Sequence, residues 1–164
     1  MLRHLSNVTC IDFSPDGHLI ASGAIGSVDL IIWNWRDGTR KTLEGVEVVI
    51  IDIRFSPNGQ YIAAGIGNAL GGVLIWNVRS GKLVEKLMGD VNVWVRSIAF
   101  TPDGVGLVST ASESKGARLW DISLFGMGGS VSQLQNGGME VDSSKERLKF
   151  GADEVRCFCL EVLT

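Results

Sequence analysis

The chain has 164 residues, a formal net charge of −3 and 15 basic side chains scattered along its length. That length suits one ordinary domain, and that balance lacks the clustered Lys and Arg that phosphate-backbone binding requires. Hydrophobic residues make up 45% and charged residues only 20%, a proportion that sheets packed on both faces account for.

The first predicted strand is Val8–Phe13, alternating apolar and polar. Ser14-Pro15-Asp16-Gly17 turns the chain, with Pro pre-setting φ and Gly supplying φ > 0. Leu19–Ser22 and Leu30–Trp33 follow as strands. Arg36-Asp37-Gly38-Thr39 turns again into a short charged strand, Arg40–Leu43, suited to an exposed edge. A second unit repeats the pattern with strands Ile50–Phe55, Tyr61–Ala64, Val73–Trp76 and Lys82–Leu87. A third has Val95–Phe100, Gly106–Thr110 and Ala117–Trp120. Residues 123–146 are rich in Gly, Ser and Asn and read as a flexible polar insertion. Arg147–Phe150 reads as the postponed fourth strand of unit three, and 151–160 as the opening strand of a fourth unit.

The same phrase marks each unit: Phe13-Ser14-Pro15-Asp16-Gly17, Phe55-Ser56-Pro57-Asn58-Gly59 and Phe100-Thr101-Pro102-Asp103-Gly104. Each is followed by an apolar-Trp-Asn/Asp step: Ile32-Trp33-Asn34, Ile75-Trp76-Asn77 and Leu119-Trp120-Asp121. The phrases lie 42 and 45 residues apart, and a period of about 40–45 residues with this ending marks propeller blades. The expected fold is all-β, a partial β-propeller of three four-stranded antiparallel blades (about 4–45, 46–89 and 90–122) within 1–122. Residues 147–164 then complete blade three and begin a fourth. Three blades are too few to close a ring, since propellers take four to eight. Other blades or another copy are needed, and a fragment of a longer gene product is favoured over completion by a copy.

Residues 4–122 resemble the WD-repeat (β-transducin-like) proteins through these turns and closing Trp-Asn/Asp pairs. More narrowly, Tyr61-Ile62-Ala63-Ala64-Gly65, Leu83-Val84-Glu85-Lys86-Leu87 and Phe100-Thr101-Pro102-Asp103-Gly104 look like late blades of the fungal general transcriptional corepressor (Groucho-like) family. The resemblance implies a structural hydrogen-bond tetrad of His, Ser/Thr, Asp and Trp in each blade. Here it is eroded. Unit one keeps His4, Ser22 and Trp33, with Ser27 near the Asp place. Unit two keeps Trp76, with Val46 and Ala64 at the His and Ser places. Unit three keeps Ser109, Trp120 and the adjoining Asp121, with Val91 at the His place. The resemblance also implies peptide binding on the loops before each inner strand and between strands two and three. That marks Thr9, Ile51, Trp94, Arg96 and Arg156 as protein-binding candidates, Trp and Arg being the residues that dominate interface hot spots. Trp94 reads equally as a filler between adjacent blades, and Trp35 also lies outside the blade-closing position.

No catalytic constellation is present. Nucleophilic catalysis needs a base beside the nucleophile, and the only histidines are His4 and His18. Cys157 and Cys159 alternate on one strand face, but Cys10 and His18 are too distant in the chain to complete a metal site. No cofactor is expected. Gly65-Ile66-Gly67-Asn68-Ala69-Leu70-Gly71 lacks the spacing and following helix of a dinucleotide loop and reads as a tight connection between strands. An odd cysteine count and no long apolar leader or span point to a nuclear or cytoplasmic protein, not a secreted or membrane one. The expected function is a non-catalytic protein-interaction scaffold. On the narrower resemblance it is a corepressor fragment whose partners are DNA-bound regulators or histone tails. The alternative is a truncated or degenerate repeat product without independent activity.

Overall fold

The computed structural model describes residues 7–24, 30–43, 49–67, 71–88, 93–112 and 117–123. Eleven strands lie among the described residues. The first sheet holds β1 (Val8–Phe13), β2 (Leu19–Ala24), β3 (Leu30–Asn34) and β4 (Arg40–Thr42), each antiparallel to its chain neighbour. The second repeats this with β5 (Val49–Phe55), β6 (Tyr61–Gly67), β7 (Gly72–Asn77) and β8 (Leu83–Met88). The third has β9 (Val95–Phe100), β10 (Gly106–Ala111) and β11 (Ala117–Asp121). These sheets are the blades of a partial β-propeller, and β5 packs on β1 and β2 as β9 packs on β5 and β6.

The turn phrase owes its repetition to geometry. Ser14 Oγ donates to Asp16 Oδ1 at 2.6 Å and accepts from the Leu19 N–H at 2.8 Å, while the Gly17 N–H reaches the Ser14 carbonyl. Ser56 with Asn58, and Thr101 with Asp103, build the same loop. Gly17, Gly59 and Gly104 all have φ near +70° (69°, 68° and 75°), the left-handed region in which only glycine is unstrained.

Side-chain alternation then divides blade two between two cores. Ile62, Ala64, Leu74 and Trp76 face blade one, together with Ala21, Leu30, Ile32 and Leu43. Ala63, Val73, Ile75 and Leu87 face blade three, with Val95, Ile98, Leu107, Trp120 and Ile122. A sheet covered on both faces needs apolar residues at successive positions, which explains the high hydrophobic content.

One expectation is corrected. Gly65 and Gly67 do not form a tight connection; they extend β6. A Cβ on Gly65 would lie 2.8 Å from Val95 Cγ1, and one on Gly23 would lie 2.7 Å from Ile50 Cγ2. The glycines are strand residues left bare so that the next blade can close on them. The expected insertion beyond Ser123, the strand at 147–150 and the start of a fourth unit lie outside the described residues.

Candidate protein-interaction site

Each innermost strand carries a bulge at the same place. Val8 pairs with Ala24 and Cys10 with Gly23, leaving Thr9 extra. Ile50 pairs with Ile66 and Asp52 with Gly65, leaving Ile51 extra. Val95 pairs with Ala111 and Ser97 with Thr110, leaving Arg96 extra. A bulge frees one side chain from the pleat and re-aims it. Three of the five residues singled out in the sequence therefore occupy one repeated backbone feature, at the same end of the blades. Arg156 lies outside the described residues.

The residues differ in what they have left to offer. Thr9 Oγ1 donates to the carbonyl of Ile50 at 3.2 Å and approaches that of Gly23 at 3.4 Å, so its hydroxyl ties blade one to blade two. Trp94 lies across the junction of blades two and three. A Cβ on Gly67 would stand 2.6 Å from Trp94 Cε3 and 3.2 Å from Ile51 Cδ1, so indole, glycine and isoleucine form one surface. The Trp94 N–H is accepted by Ser112 Oγ at 3.1 Å, which fixes the backbone under the ring. Trp94 is nevertheless 39% exposed. The exposed Arg96 guanidinium sits 5.8 Å from the ring centre, and among the described residues no carboxylate pairs with it. The indole thus packs between blades on one side and meets solvent on the other.

Sequence reasoning missed two carboxylates that join the blades. Asp12 Oδ2 accepts the N–H of Phe55 at 2.7 Å. The buried Asp52 accepts the N–H groups of Ile53 and Ile98 at 3.0 and 2.9 Å and the hydroxyl of Ser97 at 3.2 Å, and pairs with Arg54 at 2.8 Å. Strands β5 and β9 lie at sheet edges, where unpaired N–H groups need acceptors. The two aspartates supply them. The available signal was an acidic residue inside an apolar inner strand.

The tetrad residues are placed as follows. Trp33 Nε1 donates to Ser22 Oγ at 2.7 Å, and Trp120 Nε1 to Ser109 Oγ at 2.9 Å. In blade two, Trp76 lies fully buried in the core that Ala64 also lines. Asp121 accepts the Ser123 N–H at 2.9 Å, and the Ser123 side chain, then its N–H, hold the carboxyl below its usual range. His4, Ser27, Val46 and Val91 lie outside the described residues. Cys10 is half-buried and burial pushes its thiol up. Among the described residues no three metal-ligating side chains gather, and Cys157 and Cys159 fall outside them. Trp35 stands at the opposite end from Trp94, its Nε1 donating to the Gly17 carbonyl at 2.8 Å.

The WD domain, G-beta repeat model matches residues 2–36, 39–77 and 81–121. The chain belongs to the WD-repeat family. Each of the last two matches begins at the outermost strand of one blade and ends on the third strand of the next, so the sequence repeat and the structural blade are offset by one strand. The chain is 32% identical to the nuclear distribution protein PAC1 of Arthroderma otae over 130 residues, 74% of this chain and 28% of that protein. It is 32% identical to WD repeat and SOCS box-containing protein 1 of Mus musculus over 111 residues, 66% of this chain and 24% of that protein. It is 29% identical to transcription initiation factor TFIID subunit 5 of Caenorhabditis elegans over 117 residues, 71% and 17%. The chain thus spans less than a third of each of these relatives. Among the described residues no helix is long and apolar enough to cross a membrane.

Proposed function

We infer that the chain is a non-catalytic protein-interaction scaffold that docks peptide segments on the end of the blades carrying Thr9, Ile51, Trp94 and Arg96. The carrying observation is the half-exposed Trp94 indole, packed over Gly67 with the exposed Arg96 guanidinium beside it, which no carboxylate pairs among the described residues. A preformed aromatic surface binds without an ordering cost, and Trp and Arg supply most interface energy. Membership of the WD-repeat family supports the scaffold reading. The named relatives span nuclear distribution, a SOCS-box protein and transcription initiation, so they support a transcriptional role only through one of the three. A corepressor assignment, with DNA-bound regulators or histone tails as partners and a nuclear location, is the narrowest form of that reading.

The test is a peptide array probed with the full chain, followed by Trp94→Ala and Arg96→Glu. The expected result is at least one bound segment class lost in both variants, with Arg36→Ala at the opposite end unaffected and thermal unfolding unchanged. An array with no binder, or binders indifferent to both substitutions, overturns the reading and favours a repeat product without independent activity.

A further inference from the structure

The indole N–H groups of Trp33, Trp35 and Trp120 donate to Ser22 Oγ, the Gly17 carbonyl and Ser109 Oγ. Trp94 Nε1 finds no acceptor among the described residues. The exposed Arg96 guanidinium lies 5.8 Å from the centre of the same ring, and no carboxylate pairs with it among the described residues. Indole and guanidinium carry donors and no acceptor. Two sets of unmet donors thus stand side by side at one surface, and one of them is charged.

The acceptors nearby are already engaged. Asp52, on the neighbouring inner strand, is buried and receives the N–H groups of Ile53 and Ile98, the Ser97 hydroxyl and Arg54. Thr9 Oγ1 is tied to the Ile50 carbonyl. The Trp94 carbonyl accepts the Ser112 N–H at 2.8 Å, and the Trp94 N–H goes to Ser112 Oγ. With both its backbone groups taken, Trp94 offers nothing to an added strand. Recognition there falls to side chains: the apolar surface that Trp94 and Ile51 make over Gly67, and the two donors at its margin.

We propose that this surface selects a peptide segment with an acidic side chain next to a bulky apolar one, a specificity that rests on the docking function inferred above. The apolar side chain packs on Trp94 and Ile51. The carboxylate accepts from the Arg96 guanidinium and from Trp94 Nε1. An ionised carboxylate is acceptor-only, so it meets both donors without bringing an unmatched N–H of its own, and its bonds to a guanidinium are charge-assisted. An amide in its place turns an NH₂ group toward the same donors, and a lysine brings a second cation. A site whose polar groups are left unpaired by the wrong side chain discriminates strongly against it. Stacking on the indole holds the guanidinium near the place where the carboxylate arrives, which reduces the ordering that binding requires.

The test applies the full chain to a library of capped peptides with random flanks around a fixed core. The core is Leu followed by Glu, Gln, phosphoserine or Lys, and a further set ends in Leu with a free terminal carboxylate. Binders are then measured by fluorescence anisotropy. The Glu cores are expected to dominate. Exchanging Glu for Gln within a bound peptide should weaken it at least about tenfold, as loss of a charge-assisted hydrogen bond provides. The preference should vanish in Arg96→Gln and turn toward the Lys cores in Arg96→Glu. Trp94→Phe keeps a ring and removes the N–H, so it should narrow the gap between Glu and Gln without abolishing binding. Arg96 is exposed, so its two variants should unfold at the temperature of the unaltered chain and decide the matter even where Trp94→Phe does not fold. Segments that are lost in Trp94→Ala but bind equally well with Glu or Gln overturn this proposal and leave the docking function standing. Phosphoserine cores or free termini bound in place of Glu also overturn it. A library without binders removes both.

Discussion

The two junctions between blades solve one problem in different ways. Between blades one and two the ties are spread from the inner to the outer strand. Thr9 and Asp12 reach blade two from the inside, and on the outside Lys41 Nζ donates to the Arg79 carbonyl at 2.5 Å. Between blades two and three they crowd the inner end, in the Asp52 network and under Trp94. Glu85, which stands where Lys41 does, turns instead to its neighbour's N–H. A cavity of about 200 Å³ remains in that junction toward the turns, bordered by Tyr61, Ile75, Phe100 and Ile122. Repeated backbone geometry thus tolerates different polar solutions, provided each edge N–H finds an acceptor.

The largest expected effect comes from emptying the first junction. Trp76→Ala deletes its biggest fully buried side chain and should lower unfolding free energy by about 3–5 kcal/mol, measured by urea denaturation. The carboxylates come next and separate the junctions. Asp52→Ala removes the acceptor of two backbone N–H groups and of the Ser97 hydroxyl and the ion pair with the part-exposed Arg54, for a loss of about 3 kcal/mol. Asp12→Ala strands one N–H, for about 1.5 kcal/mol. Equal losses in the two variants would break the comparison. Gly23→Ala and Gly65→Ala should each cost about 1–3 kcal/mol. Gly23→Ala should be the worse, because Cys10 Sγ crowds the same position at 2.9 Å as well as Ile50.

Acid offers a milder and local probe. Asp16 and Asp103 are held below the usual value of 3.8, chiefly by the hydroxyls of Ser14 and Thr101 and then by backbone N–H groups. Their contribution is complete above pH 3.8 and fades as pH falls through the lower folded values. Asn58, at the same place in blade two, does not titrate. Hydrogen exchange should therefore show the first and third turns opening in acid before the second. The smallest effect is a null one. Ala64→Ser puts a hydroxyl among Leu74, Ile53 and Trp76, and its desolvation offsets any bond to the indole. Tm should not rise.

Much of this architecture was legible in the sequence. The turn phrases give the period, and alternation around each tryptophan gives the strands. The bulge residues were found through family resemblance, and Trp94 because it stands outside the blade-closing position. What could not be read was the partnership between blades. Asp12 lies one residue before its phenylalanine and Asp52 three before its own, so no shared spacing announces a shared task. Gly65 and Gly67 look like a loop until Val95 and Trp94 are seen lying on them. Local patterns specify hairpins; contacts some forty residues away decide which small or charged residues the hairpins must carry.

The proline over the glycine carries one last consequence. The two residues are two positions apart in the phrase, yet Pro15 meets Gly59 and Pro57 meets Gly104. The middle copy of the phrase is thus half of two different contacts, Pro57 a lid for the following unit and Gly59 a socket for the preceding one. A lesion in one copy should show itself in its neighbour, and trading whole units between positions should preserve those contacts better than trading the two halves separately.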